Sequence, residues 1–150
     1  MKHRFLAFAA LGIGLLLAVA TKAEGIRTAM EAANTQFDEI YNKGDAKAVA
    51  ALYTPDAQVL SPGKIANGTA EISQLWDDLM KAGIRDHKLH LIDATDADSV
   101  AYETAKWTVS GPAKDGGRKS YSGTTAKVLE KQSDGTWKAR MHIWNMDPEA

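Results

Sequence analysis

At Asp86 the apolar residues change period, and this change confines the chain to helices first and strands afterwards. Before it, Ile26, Ala29, Met30, Ala33, Phe37, Ile40 and Tyr41 recur at helical spacing, which predicts one apolar stripe over about four turns. Gly44 ends that helix, and Asp45 is placed to cap a short second one that buries Val49, Leu52 and Tyr53. Pro55 stops it, because the residue before a proline is pushed out of the helical region. A third helix is predicted from Thr69 as N-cap through Ile72, Leu75, Trp76, Leu79 and Met80 to Gly83. Asn67-Gly68-Thr69 also matches a glycosylation acceptor, but a turn followed by a cap accounts for the same residues.

Beyond Asp86, segments 87–94, 99–109, 119–131 and 137–145 are rich in Val, Thr, Tyr and Trp and read as strands. Thr95-Asp96-Ala97-Asp98, segment 111–117 and Ser133-Asp134-Gly135 are turn-formers that connect antiparallel neighbours. The prediction is a single α+β domain with helices on one face of an antiparallel sheet. Segments 111–117 and 61–68 read as its loosest loops, either one suited to a pocket mouth.

The first residues carry a different signal. Lys2, His3 and Arg4 precede an apolar run from Phe5 to Val19 that ends in small residues, the layout of a secretory signal peptide. The run falls short of the roughly 20 apolar residues a membrane span needs, so no stable anchor is expected after cleavage. Cleavage fits after Ala20 or Ala23; the second leaves the following helix whole, giving a leader at 1–23, a domain at 24–150 and export across the inner membrane to the periplasm. Removal of Lys2, Arg4 and Lys22 leaves 15 bases against 19 acids, a formal charge of −4. No basic run is present, which excludes the electrostatic footprint of a nucleic-acid binder. With no cysteine, disulfides are excluded and one ordinary core must hold the domain.

The order of elements from Ile26 to Pro62, with Asn42-Lys43-Gly44-Asp45 and Leu52-Tyr53-Thr54-Pro55-Asp56-Ala57 between, resembles the opening of the SnoaL-like and ketosteroid-isomerase-like families of the nuclear-transport-factor-2-like superfamily. The C-terminal segment from Val128 through Asp134-Gly135-Thr136-Trp137 to His142-Ile143-Trp144-Asn145 resembles the closing hairpin of exported homologues of that isomerase. The resemblance implies a cone-shaped α+β fold with N-terminal helices packed against a strongly curved antiparallel sheet enclosing a pocket. It also implies a homodimer through the outer sheet face, for which Trp137, Met141 and Ile143 form an apolar set. The isomerase residues do not carry over. Its basic aspartate corresponds to Ser61, its oxyanion tyrosine to Phe37, and its protonated aspartate falls near Lys127, so isomerisation by that mechanism is not expected.

Other residues offer chemistry. Alternation on the last strand separates Trp137, Ala139, Met141 and Ile143 from Lys138, Arg140, His142 and Trp144, and the resemblance turns the second set into the cavity. Glu103 lies on an otherwise apolar strand face with Ala101, Ala105, Trp107 and Val109, which suits either an acid–base pair with His142 or Arg140, or a structural ion pair. If the domain is catalytic, the expected site is His142 as general acid or base, Glu103 orienting it and Arg140 stabilising an enolate-like anion. Phe37, Tyr41, Ser61, Trp76, Trp107 and Trp144 are the expected ligand contacts, with Tyr53 and Tyr102 behind them. His87 and His90 fall on opposite strand faces, and no metal or other cofactor is expected. The expected ligand is a small, largely apolar organic molecule, used in cofactor-free proton-transfer chemistry; a carrier without catalysis and a dimeric interaction module are the alternatives.

Overall fold

A computed structural model of the protein describes residues 9–148, with side chains described from Lys22 onward. Of the expected leader, residues 1–8 lie outside the described residues, and only Lys22 and Ala23 have described side chains. Among the described residues no helix is long and apolar enough to cross a membrane.

Helix α1 (Ala9–Asn42) buries Ile26, Met30, Phe37 and Tyr41, as the stripe predicts. Asn34 and Asp38 are buried in the same stripe, and the half-buried Ala29, Ala33 and Ile40 flank it. Gly44, at φ 79°, turns the chain into α2 (Ala46–Ala50), which Asp45 caps through Oδ1 accepting from the Ala48 N–H at 2.9 Å. The next segment differs from expectation. Instead of a loose loop, residues 61–68 hold the tight Pro62-Gly63 turn of a hairpin between β1 (Tyr53–Ser61) and β2 (Lys64–Asn67), with Gly63 at φ 78°. Helix α3 (Gly68–Lys81) then starts two residues early, with Asn67 rather than Thr69 at the cap position. Glu71, in the first turn, reaches back to accept from the Asn67 N–H at 2.8 Å, so a side chain from within the helix meets a donor at its start where a threonine cap was expected.

Strands β3 (Arg85–Ala97), β4 (Val100–Pro112), β5 (Arg118–Lys131) and β6 (Trp137–Trp144) complete one strongly curved sheet in the order β2-β1-β6-β5-β4-β3. It is antiparallel throughout except where β6 returns beside β1 and runs parallel to it. Helix α1 packs along β3 and α3 against β1, so the helices cover the concave side.

The curvature comes with bulges, one of which changes the reading of the last strand. Leu129 pairs with Ala139 and Val128 with Met141, so Arg140 is an extra residue in β6. The alternation flips there: Ala139 and His142 are both buried, whereas Met141 and Ile143 face out. Neither of the two alternating sets expected on this strand is therefore intact. Trp137, expected on the outer face with Met141 and Ile143, instead packs with Ile26, Met30 and Leu129 under α1.

Candidate functional site

Between α1, α3 and the concave sheet lies a cavity of about 140 Å³, lined mainly by aromatic and aliphatic side chains. Of the expected ligand contacts, Tyr41, Trp76, Trp107 and Trp144 line it. Phe37 lies just behind the wall, its ring 5.1 Å from His87 and 6.3 Å from His142, centroid to centroid. Ser61 is elsewhere: its hydroxyl donates to the Lys64 carbonyl at 2.9 Å in the β1–β2 turn. The position of the isomerase base is thus occupied by a hairpin hydroxyl.

Two histidines reach the cavity wall. His142 is buried, and its Nδ1 lies 2.7 Å from the Tyr53 hydroxyl. Burial pushes the Tyr53 hydroxyl well above its ordinary value, against a weaker lowering by Trp76, so it stays protonated. It has no other acceptor among the described residues; donation to Nδ1 satisfies it and leaves the hydrogen of neutral His142 on Nε2. Burial, then the charges of Lys127 and His87, hold His142 well below 6.5. At neutral pH His142 is therefore a neutral N–H donor, not a cation.

His87, on β3, is held differently. Its Nδ1 lies 2.7 Å from Asp38 Oδ1, and the buried carboxylate also accepts from the Leu89 N–H at 3.1 Å. The backbone of His87 is clamped to the end of α1, donating to Asn42 Oδ1 at 2.8 Å and accepting from Asn42 Nδ2 at 2.9 Å. A carboxylate only accepts, so His87 donates from Nδ1, and in its neutral form Nε2 is the atom free to accept a proton. The Asp38–His87 pair is not among the sequence expectations, because its members lie 49 positions apart and only the fold brings them together. The available signal was Asp38 itself, a carboxylate inside the apolar stripe between Phe37 and Tyr41. Among the described residues no group of His, Cys, Asp and Glu could hold a metal ion.

Glu103 and Arg140 do not join His142. Glu103, 1 % exposed, accepts from Asn34 Nδ2 at 2.9 Å through Oε2, and its Oε1 is 2.8 Å from Lys127 Nζ. Lys127 also donates to Asn34 Oδ1 at 2.9 Å and lies 5.2 Å over the Phe37 ring. The register explains the triad: Glu103 sits opposite Lys127 on β4 and β5, under Asn34 of α1. Arg140, turned outward by its bulge, donates to the Asp56 carbonyl at 2.8 Å and pairs with its carboxylate at 3.3 Å.

The aromatic wall depends on one glycine. Trp107 lies flat against β5 at Gly123, its cross-strand partner, and donates from Nε1 to the Asn145 carbonyl at 3.1 Å. The Tyr41 hydroxyl donates to the Ile84 carbonyl at 3.4 Å, and burial pushes it up to about 12. Trp76 and Trp144 bury indole N–H groups that meet no acceptor within hydrogen-bond distance.

Residues 34–139 match the model of a family described as the SnoaL-like domain. A ketosteroid isomerase-like protein from Erwinia carotovora atroseptica is similar over 81% of this chain and 96% of its own, at 19% identity and TM-score 0.72. A protein from Novosphingobium aromaticivorans, described as NTF2-like with a cystatin-like fold, is similar over 89% and 90%, at 20% identity and TM-score 0.72. A protein from Catenulispora acidiphila in complex with S-DNPA is similar over 83% and 95%, at 17% identity and TM-score 0.69. At these identities the likeness shows the fold alone. No curated protein matches the chain.

Proposed function

The chain belongs to the SnoaL-like domain family, and on that premise we propose that it is an exported domain whose cavity binds a small, largely apolar organic molecule and moves a proton on it without a cofactor. The observation that carries this reading is the pair of imidazoles on one apolar cavity, each tied at Nδ1 by a buried partner at 2.7 Å. His87, oriented by Asp38, takes the proton at Nε2. His142, kept neutral, donates from Nε2 to the atom on which negative charge develops. Asp38 and Tyr53 are positioning residues that fix the two tautomers. A base and a donor held in opposite tautomers on one largely apolar cavity suit isomerisation, dehydration or cyclisation through an enolate-like intermediate. In this reading Asp38 takes the orienting role expected of Glu103, and His142 the anion-stabilising role expected of Arg140.

A second copy of the chain is the proposed partner. Ile65, Leu60, Ile143 and Ala126 occupy successive register positions across β2, β1, β6 and β5, and Met141 and Tyr102 are exposed on the adjacent row. An exposed apolar row of this kind supports a subunit contact.

Native mass spectrometry of the protein recovered from the compartment to which it is exported tests export, pairing and binding in one spectrum. The expected species is a dimer of chains beginning at Thr21 or Glu24, with an added small-molecule mass that is lost on denaturation. A chain retaining residues 1–23 would contradict export, and a monomer would contradict the pairing. An unladen protein that takes up nothing from a panel of small cyclic compounds would contradict ligand binding.

A further inference from the structure

The cavity opens to solvent on one side, where Leu79, Ile84 and Tyr121 are half-buried and Met146 is exposed. A ligand body held among the aromatic side chains reaches water there. A charged group on such a ligand belongs at this rim, because the apolar interior would strip its hydration without replacing it. Part of the rim is the turn from α3 into β3, and the first residue of β3 is Arg85.

Arg85 is fastened to that turn by one nitrogen. Its Nη1 donates to the Ile84 carbonyl at 2.9 Å and to the Met80 carbonyl in the last turn of α3. The Tyr41 hydroxyl, from the cavity wall, donates to the same Ile84 carbonyl at 3.4 Å, so guanidinium and phenol meet at one oxygen. Burial pushes that hydroxyl up, and Arg85 is close enough for its charge to act in the opposite direction.

Holding the carbonyls at the end of α3 accounts for Nη1 alone. Nε and Nη2, whose N–H groups form the parallel fork that fits a carboxylate, have no acceptor among the described residues, and no carboxylate pairs with the guanidinium. The acids nearest in the chain are taken: Asp77 by Lys81 at 2.6 Å, Asp78 by Lys64 at 3.3 Å, and Asp86 by the Ser110 hydroxyl. Arg118 also holds this turn, but it spends Nε and Nη2 on Ser110 and the Gly83 carbonyl. The open fork at the rim is therefore that of Arg85.

We propose, on the reading of the cavity as a ligand site, that the ligand carries a carboxylate, which emerges at this rim and is gripped by the Nε–Nη2 edge of Arg85. The apolar body stays among the aromatic residues, and the charge stays at the surface. Arg85 thereby selects apolar acids over neutral compounds of the same body.

The acid 3-cyclohexylpropanoate and its methyl ester share that body and differ in charge. Isothermal titration calorimetry near neutral pH and at low salt should show the acid binding about fivefold more tightly than the ester. Arg85→Gln keeps an N–H for the helix carbonyls and removes the charge; it should cut the preference to less than about twofold while the ester binds as in wild type. Because Arg85 is exposed, about 0.5 M salt should cut the wild-type preference likewise. Acid binding no tighter than ester binding in the wild type, or a preference unchanged in Arg85→Gln, would overturn the inference. A variant that loses the ester as well has a disturbed turn, and the wild-type salt series then decides: a preference that salt leaves unmoved overturns the inference. Failure of both compounds to bind the wild type would contradict the ligand-site reading as well, which separates the two failures.

Discussion

Glu103→Ala is expected to lower the stability of the fold by about 3–5 kcal/mol, because it strands the buried Lys127 ammonium without its counter-charge. The side chains of Glu103 and Lys127 are 1% and 6% exposed, so water cannot replace the lost partner. Asn34 would keep one hydrogen bond to Lys127 but offers no charge. The double substitution Glu103→Leu with Lys127→Met removes both charges together, and it should recover most of the loss, since a buried pair replaced by apolar residues of similar volume is often neutral. Denaturant unfolding of wild type, single and double variants checks this. A single variant within about 1 kcal/mol of wild type, or a double variant worse than the single, would show that the pair is not the buried charge system described.

Gly123→Ala is expected to cost about 3 kcal/mol or more, at the upper end of overpacking effects. An added Cβ would lie 1.9 Å from the Asn145 carbonyl oxygen and 2.5 Å from Trp107 Cζ2. The first contact is with backbone, so no side-chain rotation relieves it. The Trp107 N–H bond to the same carbonyl, at 3.1 Å, would go with it, and the cavity wall would move. The expected result is a large drop in the unfolding midpoint together with a displaced Trp107 indole signal. A variant that melts with the wild type and keeps that signal would contradict the close approach.

Much of the architecture was legible in the sequence because local rules and the fold agree there. The α1 stripe, the stop at Gly44, the Asp45 cap and the four later strands follow from periodicity and turn chemistry. The site was less legible, for three physical reasons. The Arg140 bulge exchanges the two faces of β6 without any compositional mark, so His142 lines the cavity while Arg140, expected beside it, faces out. Asn34 and Asp38 look like ordinary polar residues on an amphipathic helix until β3 and β4 bring His87 and Glu103 beneath them. Glu103 stood out as a carboxylate in apolar company, but its partner follows from cross-strand register, which spacing along one strand does not contain. The helix after β2 began at a capping residue other than the threonine expected, because Glu71 and Gly68 together do the work of a cap.

The central claim is that the cavity moves a proton between His87 and a bound carbonyl compound, and the exchange of cyclohexanone α-hydrogens with deuterated water measures it directly. His87 Nε2 removes an α-proton, the enolate oxygen accepts from the His142 N–H, and return of a deuteron to carbon completes one exchange. Wild-type protein should accelerate exchange above the buffer rate, and His87→Gln should lower that acceleration about 100-fold or more while cyclohexanone still binds with wild-type affinity. Exchange at the buffer rate in wild type, with the ketone demonstrably bound, would contradict proton transfer and leave a carrier.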